Sequence, residues 1–256
     1  SNVAPHSQSR YVNPTATTAE QRMSALDLKI KSVIGFSGKV RDSLHYSPCG
    51  RYLVYPLGSL IVIKHIKSEK EAFLDGHSSE ISCLRISHDG NSIASGQVNF
   101  PGVKADVIVW DFAQAKKLVA AGEIMIGDHC FVRRLRQHLG KIQDLGFSAN
   151  DHYLATLGGP DDNAIVVWDL DHGEALCGSP AAPDSTLCLS WLNGRNDRLV
   201  TAGHYNCRVW QVDFSLPKLH AMDVKMGQLR RVFTCLSIAA DDRFAFCGTH
   251  TGDVVK

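Results

Sequence analysis

Residues 138–169 read HLGKIQDLGFSANDHYLATLGGPDDNAIVVWD. Three short apolar runs stand in this stretch, around Leu145 and Phe147, at 153–156 and at 165–168. The turn-forming strings SAND (148–151) and GGPDD (158–162) separate them. Alternating or β-branched runs bounded by Gly, Asn, Asp and Pro are the signature of strands joined by tight turns. The stretch therefore predicts an antiparallel three-strand unit.

The unit recurs on both sides. Its leading pair is Leu44/Tyr46, Leu84/Ile86, Leu145/Phe147, Leu189/Trp191 and Leu236/Ile238, with leucine-to-leucine steps of 40, 61, 44 and 47 residues. A turn follows each pair: SPCG (47–50), SHDG (87–90), SAND, NGRND (193–197) and AADD (239–242). Second strands are expected at 52–55, 92–95, 153–156, 198–201 and 243–247. Third strands are expected at 60–63, 107–110, 165–168 and 207–210, with a fifth beginning at Asp253. A period in the forties with several strands per repeat indicates a β-propeller. One blade cannot bury both of its faces, whereas blades stacked around an axis bury each other's. The expectation is an all-β fold of about five four-stranded blades over residues 29–256. They are preceded by a disordered tail over 1–28, rich in Ser, Thr, Pro and Asn and without an apolar period.

The step of 61 has two sources, QVNFPGVKA (97–105) and AGEIMIGDHCFVRRLR (121–136). Both are expected to be loops, as surface decoration or as partner contacts. The second ends in a basic cluster, Arg133, Arg134 and Arg136, with Lys141 close behind. It is read either as a solvated loop face or as a contact for an acidic protein surface.

Particular residues resemble the WD40 repeat family. WD stands at Trp110–Asp111 and Trp168–Asp169, with Trp210–Gln211 as a degenerate copy. GH stands at Gly76–His77, and a partial version at Gln137–His138. The resemblance implies a buried hydrogen-bonded set of His138, Thr156, Asp162 and Trp168. A partial set of His77, Ser95 and Trp110 is implied in the preceding repeat, with Asp106 as a substitute for the missing acid. The fourth repeat keeps Thr201 and Trp210 without the His or the Asp. A buried indole, hydroxyl and imidazole each need a partner, and a closed chain supplies all three. The His, Thr and Asp recur with the repeat, so they are expected to be structural and not a catalytic triad.

Composition narrows the function classes. Lys plus Arg is 27 against 26 for Asp plus Glu, a formal net charge of +1, which gives no global attraction to nucleic acid or anionic membrane. The eight cysteines form no C-x-x-C pair and read as free thiols in a reducing compartment. Phosphate-binding, nucleophile-elbow and zinc-protease motifs are not found. The chain is expected not to be an enzyme and to take no cofactor, metal or small-molecule substrate.

Several further strings lie outside what the repeat pattern requires: YPLGS (55–59), LGGPDD (157–162), ALCGSPAA (175–182) and GQLRRV (227–232). They resemble the N-terminal propeller of the tandem WD-repeat proteins associated with cilia and flagella, which line the inside of axonemal doublet microtubules. The resemblance implies a larger, about seven-bladed and tandem propeller, of which this chain is a truncated part. It also implies a structural scaffold that contacts tubulin and neighbouring axonemal proteins in the cytoskeleton of the cilium. The alternative is a soluble cytoplasmic WD40 adaptor that holds peptide motifs for a multiprotein complex. Neither reading involves nucleic acid or membrane.

Overall fold

The computed structural model describes residues 35–36, 38–228 and 230–256, so the tail expected over 1–28 lies outside the described residues. Four sheets of four antiparallel strands and one of three follow in chain order. Blade 1 holds β1 (His45–Tyr46), β2 (Tyr52–Leu57), β3 (Leu60–His65) and β4 (Glu71–Leu74). Blade 2 holds β5 (Ile81–Ile86), β6 (Ser92–Gln97), β7 (Lys104–Asp111) and β8 (Phe131–Leu139). Blade 3 holds β9 (Ile142–Phe147), β10 (Tyr153–Gly158), β11 (Ala164–Asp169) and β12 (Glu174–Pro180). Blade 4 holds β13 (Thr186–Trp191), β14 (Arg198–Gly203), β15 (Cys207–Asp213) and β16 (Lys218–Asp223). Blade 5 holds β17 (Phe233–Ile238), β18 (Ala245–Thr249) and β19 (Val254–Val255). The expected second and third strands of blades 1 to 4 all fall within these elements; in blade 5 the second strand begins at Ala245, two residues later than expected, and the third at Val254, one residue later.

The middle strands β6, β7, β10, β11 and β14 are buried almost end to end. They are covered on both faces, which explains why they are apolar without alternation and carry small residues, as in SIASGQ and YLATLG. The core is accordingly a series of seams between blades. One seam joins Val107, Leu135 and Val109 of blade 2 to Ile142, Leu154 and Trp168 of blade 3. The next joins Ala155, Ile165 and Val167 of blade 3 to Leu189, Leu199 and Trp210 of blade 4.

The turns between first and second strands carry a second interlock. Ser47, Ser87 and Ser148 close their own hairpins by accepting the backbone N–H of Tyr52, Ser92 and Tyr153 at 2.8–3.1 Å. The turns of blades 3, 4 and 5 then each grip the turn before. The Asp151 carboxylate accepts from the backbone N–H of His88 at 3.0 Å and of Asp89 at 2.9 Å. Asn196 Oδ1 accepts from Asn150 N–H at 2.9 Å, and Asp242 accepts from the N–H groups of Asn193 and Gly194, both at 2.7 Å.

Two expectations are corrected here. Residues 121–136 are not a loop. Helix α1 (Phe112–Ala121) starts directly after β7, with Asp111 as its N-cap accepting from Gln114 N–H at 2.7 Å and Gly122 closing it at φ +93°. A short helix α2 (Gly127–Cys130) leads into β8, which makes the second half of the supposed loop the outer strand of blade 2. Between the helices the chain pairs with the outer edge of blade 1: Phe73 N–H donates to Ile124 O at 2.7 Å, and Ile126 N–H donates to Phe73 O at 3.0 Å. Phe112, Ala115, Val119, Ile126 and Cys130 join the core shared by blades 1 and 2. The insertion therefore clamps two blades and covers a strand edge that would otherwise offer unpaired backbone groups. The other insertion is shorter than expected, because Gln97 ends β6 and Lys104 begins β7.

Phe112 is fully buried at this clamp. Phe112→Ala is expected to lower the unfolding free energy by about 3–5 kcal/mol, as truncation of a buried phenylalanine does. Urea unfolding followed by tryptophan fluorescence reads it, and a cost below about 1 kcal/mol would show that the helix is dispensable to the core.

Candidate functional site

The polar residues singled out in the sequence meet in the interior of blade 3. His138, in β8, places Nδ1 2.9 Å from Asp162 Oδ2 and Nε2 2.8 Å from Thr156 Oγ1. Trp168 Nε1–H donates to the same hydroxyl at 2.8 Å. A carboxylate only accepts, so Nδ1 carries the imidazole proton and Nε2 accepts from the Thr156 hydroxyl. The Asp162 carboxylate also accepts from Leu139 N–H at 3.1 Å. Gly158 makes room for this arrangement, since a Cβ there would lie 2.7 Å from His138 Nδ1. His138 and Thr156 are fully buried. Every polar atom of the chain is spent on a neighbour, which leaves no free nucleophile.

In blade 2 the same chain runs from Trp110 Nε1–H to Ser95 Oγ at 2.8 Å and on to His77 Nε2 at 2.7 Å. Its last member is not Asp106. Gln97 Oε1 lies 2.9 Å from His77 Nδ1, and Gln97 Nε2–H donates to Ser78 Oγ at 3.2 Å. Gln97 stood in the sequence as part of a loop insertion, so its role was missed; its position at the end of the second strand, two residues after Ser95, was the available signal. Gly76 lies against the indole, since a Cβ there would lie 2.8 Å from Trp110 Cη2. Burial pushes the His77 imidazole down from 6.5 to about 4, against the upward pull of the Gln97 hydrogen bond and of Asp106. In blade 4 the pair Trp210 Nε1–H to Thr201 Oγ1, 2.8 Å, stands without a histidine.

The structure places the basic cluster on a strand and ties it into the fold, so it is not a loop face. Asp106, 2% exposed, accepts from Arg134 and from Arg136, whose Nη2 reaches it at 3.0 Å. Burial alone would raise the Asp106 carboxyl, and these two guanidinium groups hold it below the usual carboxylate range instead. Arg134 Nη2–H also donates to Gly76 O at 2.9 Å, and Arg133 donates to Asp171 O of blade 3. Lys141 lies apart from them, lining a polar cavity of about 220 Å³ with Lys39, Arg41, Glu80, Gln143 and Asp144.

Beside that cavity is a group that sequence reading missed. Arg85 pairs with Asp42 at 2.9 Å and Asp144 at 3.1 Å, and Asp144 Oδ2 accepts from Leu189 N–H at 3.0 Å. These contacts join the segment before β1 to the first strands of blades 2, 3 and 4. Arg41 Nη2–H extends the tie, donating to Leu187 O at 2.9 Å. A charge at an inward position of LRI and QDL was the signal available in the sequence. Among the described residues, no three His, Cys, Asp or Glu side chains converge as a metal site, and no helix is long and apolar enough to cross a membrane.

Thr156→Val keeps the shape of blade 3 but strips the Trp168 indole and His138 of their shared partner. The expected cost is about 2–3 kcal/mol in urea unfolding, the desolvation penalty of buried groups left unpaired. His77 makes a pH prediction. The unfolded imidazole takes its proton near 6.5 and the folded one only near 4, so the unfolded chain binds more protons between those values. Stability contributed by neutral His77 is therefore complete above pH 6.5 and lost as the pH falls toward 4, by up to roughly 3 kcal/mol. Urea midpoints of wild type and His77→Asn across this window read the difference; the same decline in both proteins would refute it.

The WD domain, G-beta repeat family matches residues 68–111 and 129–169. Each match starts near the outer strand of one blade and runs through three strands of the next. The chain is 41% identical over 230 residues to cilia- and flagella-associated protein 52 of Chlamydomonas reinhardtii, covering 90% of this chain and 35% of that protein. It is 38% identical over 248 residues to cilia- and flagella-associated protein 52 of Homo sapiens, covering 96% and 37%. WD repeat-containing protein 90 of Mus musculus is 27% identical over 150 residues, 58% of this chain and 7% of that protein. The chain thus spans little more than a third of the length of the cilia- and flagella-associated relatives it matches. It carries WD40 repeats folded as antiparallel blades, and along nine-tenths of its length it is similar to cilia- and flagella-associated protein 52.

Proposed function

We propose that this chain is part of a non-catalytic structural scaffold of cilia and flagella, bound to tubulin and neighbouring proteins inside axonemal doublet microtubules. The observation that carries the reading is identity near 40% along 90% or more of the chain to proteins named for cilia and flagella. The physical build suits the role. Blades interlocked by seams, turn-to-turn hydrogen bonds and the clamp of α1 make a stiff spacer. The imidazoles of His138 and His77 and the hydroxyls of Thr156 and Ser95 are committed to one another inside the blades. The blades at either end carry exposed apolar side chains, Leu44 and Tyr46 on blade 1 and Phe244, Phe246 and Val254 on blade 5. We take these as faces that further blades of a larger, about seven-bladed and tandem propeller would cover, with residues 29–256 forming its first part.

Tubulin is acidic, so the basic strand β8 with Arg133, Arg134 and Arg136, together with Lys141, is the proposed contact. Arg134 and Arg136 also neutralise buried Asp106, so reversing their charge reads folding and contact together. Lys141→Glu leaves those pairs intact and is the cleaner probe. The cavity lined by Lys39, Arg41 and Lys141 favours a second reading, an adaptor that takes an acidic peptide.

Isolated cilia extracted with detergent and then with high salt decide between the two. Retention of the protein on the doublets through both washes is expected for the scaffold, with Lys141→Glu retained less. Release into the detergent fraction, or absence from cilia, would overturn the scaffold and leave the adaptor.

A further inference from the structure

The insertion between β6 and β7 presents an apolar knob that neither the repeat nor the basic strand accounts for. Residues 98–103 read VNFPGV, and Phe100, Pro101 and Val103 all face solvent. Phe100 is 79% exposed, more than any other large apolar side chain among the described residues. Tyr46 and Val254, each 68% exposed, lie on end blades that further blades would cover. Phe100 belongs to blade 2, which is packed against blade 1 on one side and blade 3 on the other, so blade stacking does not explain it. Its ring joins none of the core clusters among the described residues.

The knob is held stiffly. Val103 N–H donates to Phe100 O at 3.0 Å across Pro101 and Gly102, and Gly102 stands at φ +74°. That is a type II turn, in which Pro pre-sets the first corner and Gly supplies the left-handed second. Asn99 ties both ends of the loop. Its Oδ1 accepts from Phe100 N–H at 2.9 Å, and its Nδ2–H donates to Lys104 O at 2.9 Å. Neighbouring backbone closes the base: Val98 N–H donates to Glu80 O at 2.8 Å, Asn99 N–H to Gly140 O, and Gly140 N–H to Val103 O at 2.8 Å. Gly102 N–H also donates to Asp161 Oδ2 of blade 3 at 3.3 Å. None of these bonds uses the phenyl ring, so the turn itself makes no demand for an aromatic residue at its first position.

We infer that Phe100 is the apolar anchor of a contact with another protein, seated in a partner pocket that is lined by apolar side chains and edged by carboxylates. A ring already fixed in place is buried with little loss of loop freedom, and aromatic side chains are what interface cores favour. The charge around the knob sets the edge of the pocket. Exposed Lys104 follows the turn directly, and Asp161 is turned to the Gly102 N–H. The cavity at the base of the loop, where Val98 pairs with Lys141, carries Lys39, Arg41, Arg85 and Lys141 against Glu80 and Asp144. Positive charge is therefore in excess, which complements acidic side chains on the partner. This contact differs in kind from the basic strand β8, because apolar burial survives salt that screens exposed charge pairs. It goes beyond the scaffold reading, since the knob serves a scaffold or an adaptor alike.

Full-length protein with the photo-crosslinker p-benzoylphenylalanine in place of Phe100 is expressed in ciliated cells, irradiated before lysis and mapped by mass spectrometry. Attachment at a single site is expected, on a side chain inside an apolar pocket of a second protein with Asp or Glu at its edge. Purified full-length protein is then titrated against that second protein. Phe100→Ser is expected to raise Kd about 30-fold, the loss typical of a truncated anchor, and Phe100→Leu to recover most of it. Urea midpoints of both variants are expected to match wild type, because the ring belongs to no core cluster. The proposal is overturned by attachment to residues of this chain, by attachment scattered over many proteins, by attachment to a polar or basic surface, or by Phe100→Ser binding as tightly as wild type. Release of the protein from doublets in the extraction described above would sink the scaffold and leave this map standing.

Discussion

A blade whose middle strands are apolar on both faces can be covered only by another blade. That constraint organises the rest of the molecule. Small residues such as Ala94, Gly96, Ala155 and Ala202 sit in the middle strands because the neighbouring sheet closes on them. A Cβ at Gly96 would stand 2.6 Å from Ile142 Cγ2 of the next blade. The family repeat does not coincide with the blade, since its matched spans begin near β4 and near β8, the outer strands of the blades before. Each repeat thus leaves one strand behind, and neighbouring blades are covalently as well as sterically entangled.

Close packing of this kind makes unpaired polar atoms expensive, and the polar groups answer with closed chains. Trp168, Thr156, His138 and Asp162 satisfy one another in blade 3. Blade 2 substitutes the neutral Gln97 for the acid, and its histidine titrates low because burial is not offset there by a directly bonded carboxylate. Asp106, released from that duty, neutralises two arginines of the outer strand. Asp144 uses one oxygen for Arg85 and the other for the Leu189 backbone, joining three blades near the cavity lined by Lys39 and Arg41. Blade 4 shows the minimum form, an indole and a hydroxyl.

The insertion after β7 shows how a departure from the repeat is absorbed. Asp111, the second letter of WD, turns from a strand end into a helix cap. The helix it starts buries Phe112, Ala115 and Val119 along one stripe and returns the chain to the edge of blade 1 before β8 is laid down. A 61-residue step thereby keeps the same blade architecture as a 40-residue one.

Much of this was legible in the residues. Hydrophobic alternation with Ser, Gly, Asn and Asp turns marks strands locally, and a repeat near forty residues leaves few architectures. The five hairpins therefore followed from spacing, whereas the membership of the blade 3 chain was implied by the resemblance to the WD40 repeat. What spacing did not reveal has a common cause. FAQAKKLVAA has a helical period that a search for alternating strands passes over, and its burial depends on blade 1, some forty residues earlier. Gln97 in place of an acid, Arg85 against Asp144 and the gripping of one turn by the next in blades 3 to 5 all join residues on different blades or strands. The sequence by itself determined which segments become strands and that they must stack, because those depend on periodicity along the chain. Only the tertiary structure decided which side chains face each other across the seams, because that depends on sheets brought together at close range, where sequence distance carries no weight.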